Sequence, residues 1–128
     1  MNTELQPLIA AAMQARANAY ARYSKFQVGA ALRTASGAMF TGVNVENASY
    51  GLTICAERVA ATAAVTAGER EFVTLVIATR GGYPPCGACR QFLAEFSREL
   101  NGGLPDGDQP ARVAGKKLRG LLPDAFVL

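Results

Sequence analysis

Three cysteines and one glutamate carry most of the chemistry open to this sequence. Cys55 stands two residues before Glu57, and Cys86 and Cys89 are separated only by Gly87 and Ala88. On a helix, a spacing of three puts both sulfurs on one face, where they can reach a single ion. The chain has Cys 3 and His 0, and an odd number of thiols cannot all pair in disulfides within one chain. If Cys55 and the Cys86–Cys89 pair each open a helix and the two helix starts meet, three thiolates converge at positive dipole ends. Structural zinc takes four protein ligands, whereas three leave a position open for water, the arrangement of a catalytic site. Glu57 is near enough to reach that water but badly placed to share the ligands' direction, so its role is to move protons. Three thiolates around a divalent ion sum to minus one, and Arg58 and Arg90 beside the ligand motifs are expected to offset this by donating to the sulfurs. Cys86 and Cys89 alone also fit a redox pair, and the trio alone fits a structural zinc. Glu57 beside Cys55 favours metal catalysis over both.

Several elements must form to bring these residues together. Thr3 and Gln6 have the spacing of a capping box, and Leu5, Leu8, Ile9, Ala12 and Met13 recur at helical spacing, predicting a first helix to about Tyr20. Phe26, Val28, Ala30 and Leu32 alternate with their neighbours as in a half-buried strand, and Thr34–Gly37 turns it into a second, antiparallel strand over about 38–43. A second helix runs from Cys55 to Ala67 and stops at Gly68. The apolar run Phe72–Thr79 reads as a strand covered on both faces and reached by a helical crossover. A third helix, with Pro85 in its first turn and Leu93 and Phe96 facing inward, extends to about Leu100. Asn101–Pro110 is polar and glycine-rich and is expected to be loop, with a last short helix over 116–122. These elements make one α/β domain over residues 1–128, with an irregular tail from 101 to 128.

The set Cys55-Ala56-Glu57 with Pro85-Cys86-Gly87-Ala88-Cys89 matches the zinc deaminase signature in its three-cysteine form, a motif described in general terms for nucleobase deaminases. From about Tyr23 to Phe96 the chain resembles the small homotetrameric cytidine deaminases, the likeness lying in Phe26–Leu32, Asn44–Tyr50, Cys55–Val59 and Pro85–Gln91. The resemblance implies a three-layer α-β-α fold with a mixed sheet, a bound Zn2+, and hydrolysis of cytidine or deoxycytidine to the uracil nucleoside and ammonia, a step of pyrimidine salvage. It also implies that Asn44 and Glu46 hold the sugar, that Phe26 lines the nucleoside pocket and that Ala56 offers its backbone to the base. Tyr50 and Phe126 would reach the site of a neighbouring subunit in a homo-oligomer, a tetramer in the family. A blasticidin-type deaminase shares the cysteine pattern and is the alternative within the same chemistry. Taken without the resemblance, Asn44 and Glu46 fit a turn, Phe26 and Phe126 a core, and Arg58 a helix surface.

Composition narrows the partners. Half the residues are apolar and the formal net charge is +3, enough for a core and too mild a basic excess to imply nucleic acid. Arg112, Lys116, Lys117 and Arg119 are grouped, but no aromatic platform accompanies them to grip single strands. Met1–Gln6 lacks the pattern of a secretory signal, and the apolar stretches fall far short of the roughly 20 residues that span a bilayer. Free thiols suit the reducing cytoplasm, where the protein is expected to work.

Overall fold

The structure, a computed structural model, describes residues 4–128. Thr3, half of the expected capping box, lies outside them. The elements run α1 (Leu5–Arg16), β1 (Gly29–Thr34), β2 (Met39–Val43), a 3-10 turn (Tyr50–Leu52), α2 (Ala56–Thr66), β3 (Phe72–Ala78), α3 (Gly87–Ala94), β4 (Asn101–Asp106), β5 (Gln109–Lys117) and α4 (Leu118–Leu121).

One five-stranded sheet has the order β2-β1-β3-β4-β5. β1 is antiparallel to both β2 and β3, β3 is parallel to β4, and β4 is antiparallel to β5, so the sheet is mixed. Short turns close the β1–β2 and β4–β5 pairs, while α2 and α3 make the crossovers from β2 to β3 and from β3 to β4. Alternation along the strands divides the core in two. Ala31, Val76 and Ala78 meet Leu8, Ile9 and Ala12 of α1 on one face. Ala30, Leu32, Leu75 and Ile77 meet Ala60, Ala61 and Ala64 of α2 and Leu93 of α3 on the other. Helices therefore cover both faces in three layers.

Small residues let α2 come close. A Cβ on Gly42 of β2 would lie 2.5 Å from the Ala56 carbonyl oxygen, far inside contact distance, so glycine there permits the first turn of α2 to sit directly on the sheet. That turn carries Cys55, Ala56 and Glu57.

Three expectations need correction. α1 ends at Arg16 rather than Tyr20, because the Tyr20 N–H donates to the Asn44 carbonyl and draws the chain into a bridge with Val45. α3 starts after Pro85 and ends at Ala94, with Cys86 as its N-cap. Residues 101–110, expected as loop, belong to a hairpin of two strands, the second of which runs on to Lys117, so the last helix starts at Leu118 rather than 116 and the tail is mostly regular. Gly102 and Gly103 are accommodated in β4 because neighbours crowd them: a Cβ would meet the Lys116 oxygen at 3.1 Å and Val76 Cγ2 at 3.3 Å. Pairing on both sides of β4 overrides the weak strand preference of glycine. β5 is an edge with every residue but Val113 exposed, which explains its polar composition and its tolerance of Pro110.

Candidate metal centre and substrate cleft

Cys55 is the N-cap of α2 and Cys86 the N-cap of α3, both in extended backbone, and neither uses its side chain to cap. Serine, threonine or asparagine would ordinarily fill such positions by bonding the free N–H groups of the first turn. Thiols leave their sulfurs available instead, at the dipole-positive ends of two helices. Cys89 projects from the first turn of α3. The Sγ atoms of Cys55, Cys86 and Cys89 all lie within 4.8 Å of one another. Three sulfurs bound tetrahedrally to one zinc at about 2.3 Å would stand about 3.8 Å apart, so the donor set fits that ion with little movement.

Charge and hydrogen bonds around Cys55 favour its thiolate. The Cys55 thiol is drawn down to about 5, first by the hydrogen bond from Cys89 and then by Arg58, while the Cys89 thiol, acting as donor in that pair and buried, is pushed up. The two cysteines thus share one proton that a metal would displace. Arg58 Nη2 donates to Cys55 Sγ at 3.7 Å, and its buried Nε has no hydrogen-bond partner among the described residues. Arg58 therefore meets the expectation. Arg90 does not. Its Nε donates to the Pro85 carbonyl at 2.8 Å and its Nη1 to the Leu121 carbonyl at 2.9 Å, so it fastens the end of α4 to the loop before Cys86 and leaves the sulfurs alone.

Glu57 occupies the first turn of α2 and is only 5% exposed. Burial, aided by the charge of Cys55, lifts its carboxyl above the ordinary carboxylate range. A carboxyl so placed keeps its proton more readily than an exposed one, as suits a group that must both accept and donate.

Glu57, Cys55 and Cys86 line a cleft of about 300 Å³, the small end of the range for small-molecule sites. Phe26, Asn44, Glu46, Tyr50 and Ala56 line the same cleft. Asn44 Oδ1 accepts from the Val28 N–H and its Nδ2 donates to the Phe26 carbonyl, both at 2.9 Å, which fixes the strand entry carrying Phe26. Glu46, also buried, accepts from the N–H groups of Tyr23 and Ser24 at 2.9 and 3.1 Å and from the Ser24 hydroxyl. These bonds, the Ser24 hydroxyl foremost, hold its carboxyl below the usual range and therefore charged at neutral pH. Both residues brace the backbone at the cleft wall, as the turn reading expects, while facing the cleft. Tyr50 stacks edge-on against Tyr23 with ring centroids 6.4 Å apart and stays exposed. Phe126 is outside the cleft of its own chain, 69% exposed, with its carbonyl accepting from Gln91 at 3.2 Å.

Ser24, Thr79 and Tyr83 also line the cleft and were not anticipated. Ser24 was legible as the hydroxyl two residues before Phe26. Tyr83 had a weaker signal, an aromatic residue between a glycine pair and a proline pair just ahead of Cys86.

Comparison with known proteins agrees with this geometry. The sequence model of the cytidine and deoxycytidylate deaminase zinc-binding region matches residues 2–100. The cytidine deaminase of Halalkalibacterium halodurans is 53% identical over 127 residues, covering 94% of this chain and 92% of that protein. The cytidine deaminase of Mycobacterium tuberculosis is 44% identical over 119 residues, covering 91% of this chain and 85% of its own. Among solved structures, cytidine deaminase from Burkholderia pseudomallei superposes with a TM-score of 0.89 at 45% identity, spanning 98% of this chain and 100% of the other. A zinc-ready trio of thiols at two helix starts, on a sheet shared with these relatives, makes this chain a member of the cytidine and deoxycytidylate deaminase family.

Proposed function

We propose that the protein hydrolyses cytidine and deoxycytidine to the corresponding uracil nucleosides and ammonia. The observation that carries this reading is a buried carboxyl, Glu57, beside three convergent thiols at the base of a nucleoside-sized cleft. When bound by Cys55, Cys86 and Cys89, zinc supplies a Lewis acid that makes water nucleophilic near neutral pH.

The chain's own residues do the rest. Glu57 takes a proton from the attacking water and passes it to N3 of the cytosine as C4 accepts the new C–O bond; it then takes the remaining proton from the C4 hydroxyl and delivers it to the departing amine as the C–N bond breaks. Water and cytidine enter; uridine and ammonia leave. Burial serves this cycle, because raising the carboxyl above its ordinary range strengthens it as a proton acceptor for the water. Arg58 offsets the negative charge of the thiolates and keeps the metal electrophilic. Asn44 and Glu46 orient the sugar, and Phe26 lies along the base with the Ala56 backbone at its edge. Sugar contacts help the chemistry by fixing the small base relative to Glu57.

Tyr20, Tyr23, Val45, Tyr50, Leu52 and Ile54 are large apolar residues left exposed, and Tyr50 among them lines this cleft. Such exposure supports assembly into a homo-oligomer, a tetramer on this reading, in which Tyr50 and Phe126 serve a neighbour's site. No helix among the described residues is long and apolar enough to cross a membrane. Pyrimidine salvage in the cytoplasm suits the reaction and its free thiols.

The test is to incubate zinc-loaded protein with cytidine, deoxycytidine and free cytosine and to measure ammonia. Release from the nucleosides, with cytosine at least about 100-fold less efficient, is the expected pattern. No release from either nucleoside would end the proposal, and equal use of cytosine would remove the sugar contacts from it.

A further inference from the structure

Tyr83 is 60% exposed, yet it is held with unusual care for a loop side chain. Its N–H donates at 2.9 Å to the hydroxyl of Thr79, itself 3% exposed. Its ring rests on Gly81, where a Cβ would lie 2.9 Å from the ring atom Cε2. Gly81 has φ +93°, and its N–H donates at 3.0 Å to the carboxylate of Asp106 at the end of β4. Gly82, at φ +70°, passes so near the Leu104 carbonyl that a Cβ would come within 2.9 Å. β4 thus fixes a loop whose aromatic side chain, Tyr83, lines the cleft.

The Tyr83 ring meets Phe26 with centroids 6.3 Å apart and planes at 52°. That is contact distance for two rings, so they form one continuous wall rather than a slot. Phe26 adjoins the Asn44 and Glu46 end of the cleft, and Tyr83 precedes Cys86 by three residues. A flat heterocycle reaching from the sugar contacts to the metal must pass along both rings. We propose that Tyr83 is a substrate-contacting residue that sets nucleoside affinity and base selectivity, its ring packing against the pyrimidine beside Phe26. This rests on the deaminase reading of the cleft.

The experiment compares Tyr83→Ala, Tyr83→Leu and Tyr83→Phe in the zinc-loaded protein, using cytidine kinetics and calorimetric binding of the product uridine. Loss of the ring raises KM and the uridine Kd about tenfold, or roughly 1.4 kcal/mol, within the range for one base–aromatic contact. The change falls on KM rather than kcat. Tyr83→Leu keeps an apolar side chain over Gly81 and shows the same weakening, whereas Tyr83→Phe restores wild-type KM because the ring and not the hydroxyl makes the contact. Unchanged KM and uridine Kd in both truncations would overturn the proposal. So would a fall in kcat alone, which would mean the residue only shapes the loop. If the wild-type chain bound uridine without deaminating cytidine, the proposed function would fail while the uridine measurements still decided the role of Tyr83. A wild-type chain that failed to bind uridine would overturn both.

Discussion

Glu57 and Arg58 are neighbours with separate proposed duties, and each can be replaced while all three cysteines are kept. Glu57→Gln keeps the shape of the side chain and removes the proton carrier. Turnover of cytidine should fall roughly 100- to 10,000-fold at unchanged zinc content, read by parallel assays of activity and bound metal. Activity within a few-fold of wild type would take the carboxyl out of the mechanism. Arg58→Ala removes the donor to Cys55, so zinc affinity should drop about 10- to 100-fold in competition with a chelator. Undiminished retention would reduce Arg58 to a packing role. The ligand trio and Glu57 were legible because metal chemistry restricts residue type and spacing so tightly. Arg90 was misread for a physical reason: adjacency to a ligand in sequence says nothing about direction. Its guanidinium turns toward the Pro85 and Leu121 carbonyls, which no pattern in the sequence reveals.

At the level of elements, the site depends on how closely α2 lies on β2. Gly42 permits that approach, since any side chain there would strike the Ala56 carbonyl and the Ala60 nitrogen. Gly42→Ala should therefore push the first turn of α2 outward, costing about 1–3 kcal/mol of stability, and loosen zinc although the substitution touches no ligand. Denaturant unfolding and chelator competition read the two effects. A variant as stable as wild type, with metal held as tightly, would show that the helix start is placed by something else. α1 followed from helical spacing, β1 from alternation although both its faces are buried, β2 from the turn before it, and α2 and β3 from alanine-rich and continuously apolar runs. β4 and β5 did not, because their strand character comes from tertiary pairing: β4 is held on both sides by neighbours, and β5 leaves nearly all its residues in solvent. The end of α1 was missed for the same reason, through the distant pairing of Tyr20 with Asn44 and Val45.

For the whole molecule, zinc held by Cys55, Cys86 and Cys89 would join two helix starts as well as supply a Lewis acid. An ion bound to the native state alone stabilises it, by about 4 kcal/mol when present at 1,000 times its dissociation constant. In a domain of this size, stripping zinc should lower Tm by more than about 10 °C, seen by calorimetry before and after chelation. An unchanged Tm would mean that the helices are held without it. On the proposed assembly through these exposed residues, dilution below the subunit dissociation constant should reduce turnover per chain. Turnover independent of concentration through dissociation would separate the two. The account stands most directly on the metal's surroundings, which X-ray absorption at the zinc edge reports. It predicts one zinc per chain with three sulfur neighbours at about 2.3 Å and one lighter neighbour at about 2.0 Å. Four sulfurs, or no zinc in protein prepared without chelators, would contradict it.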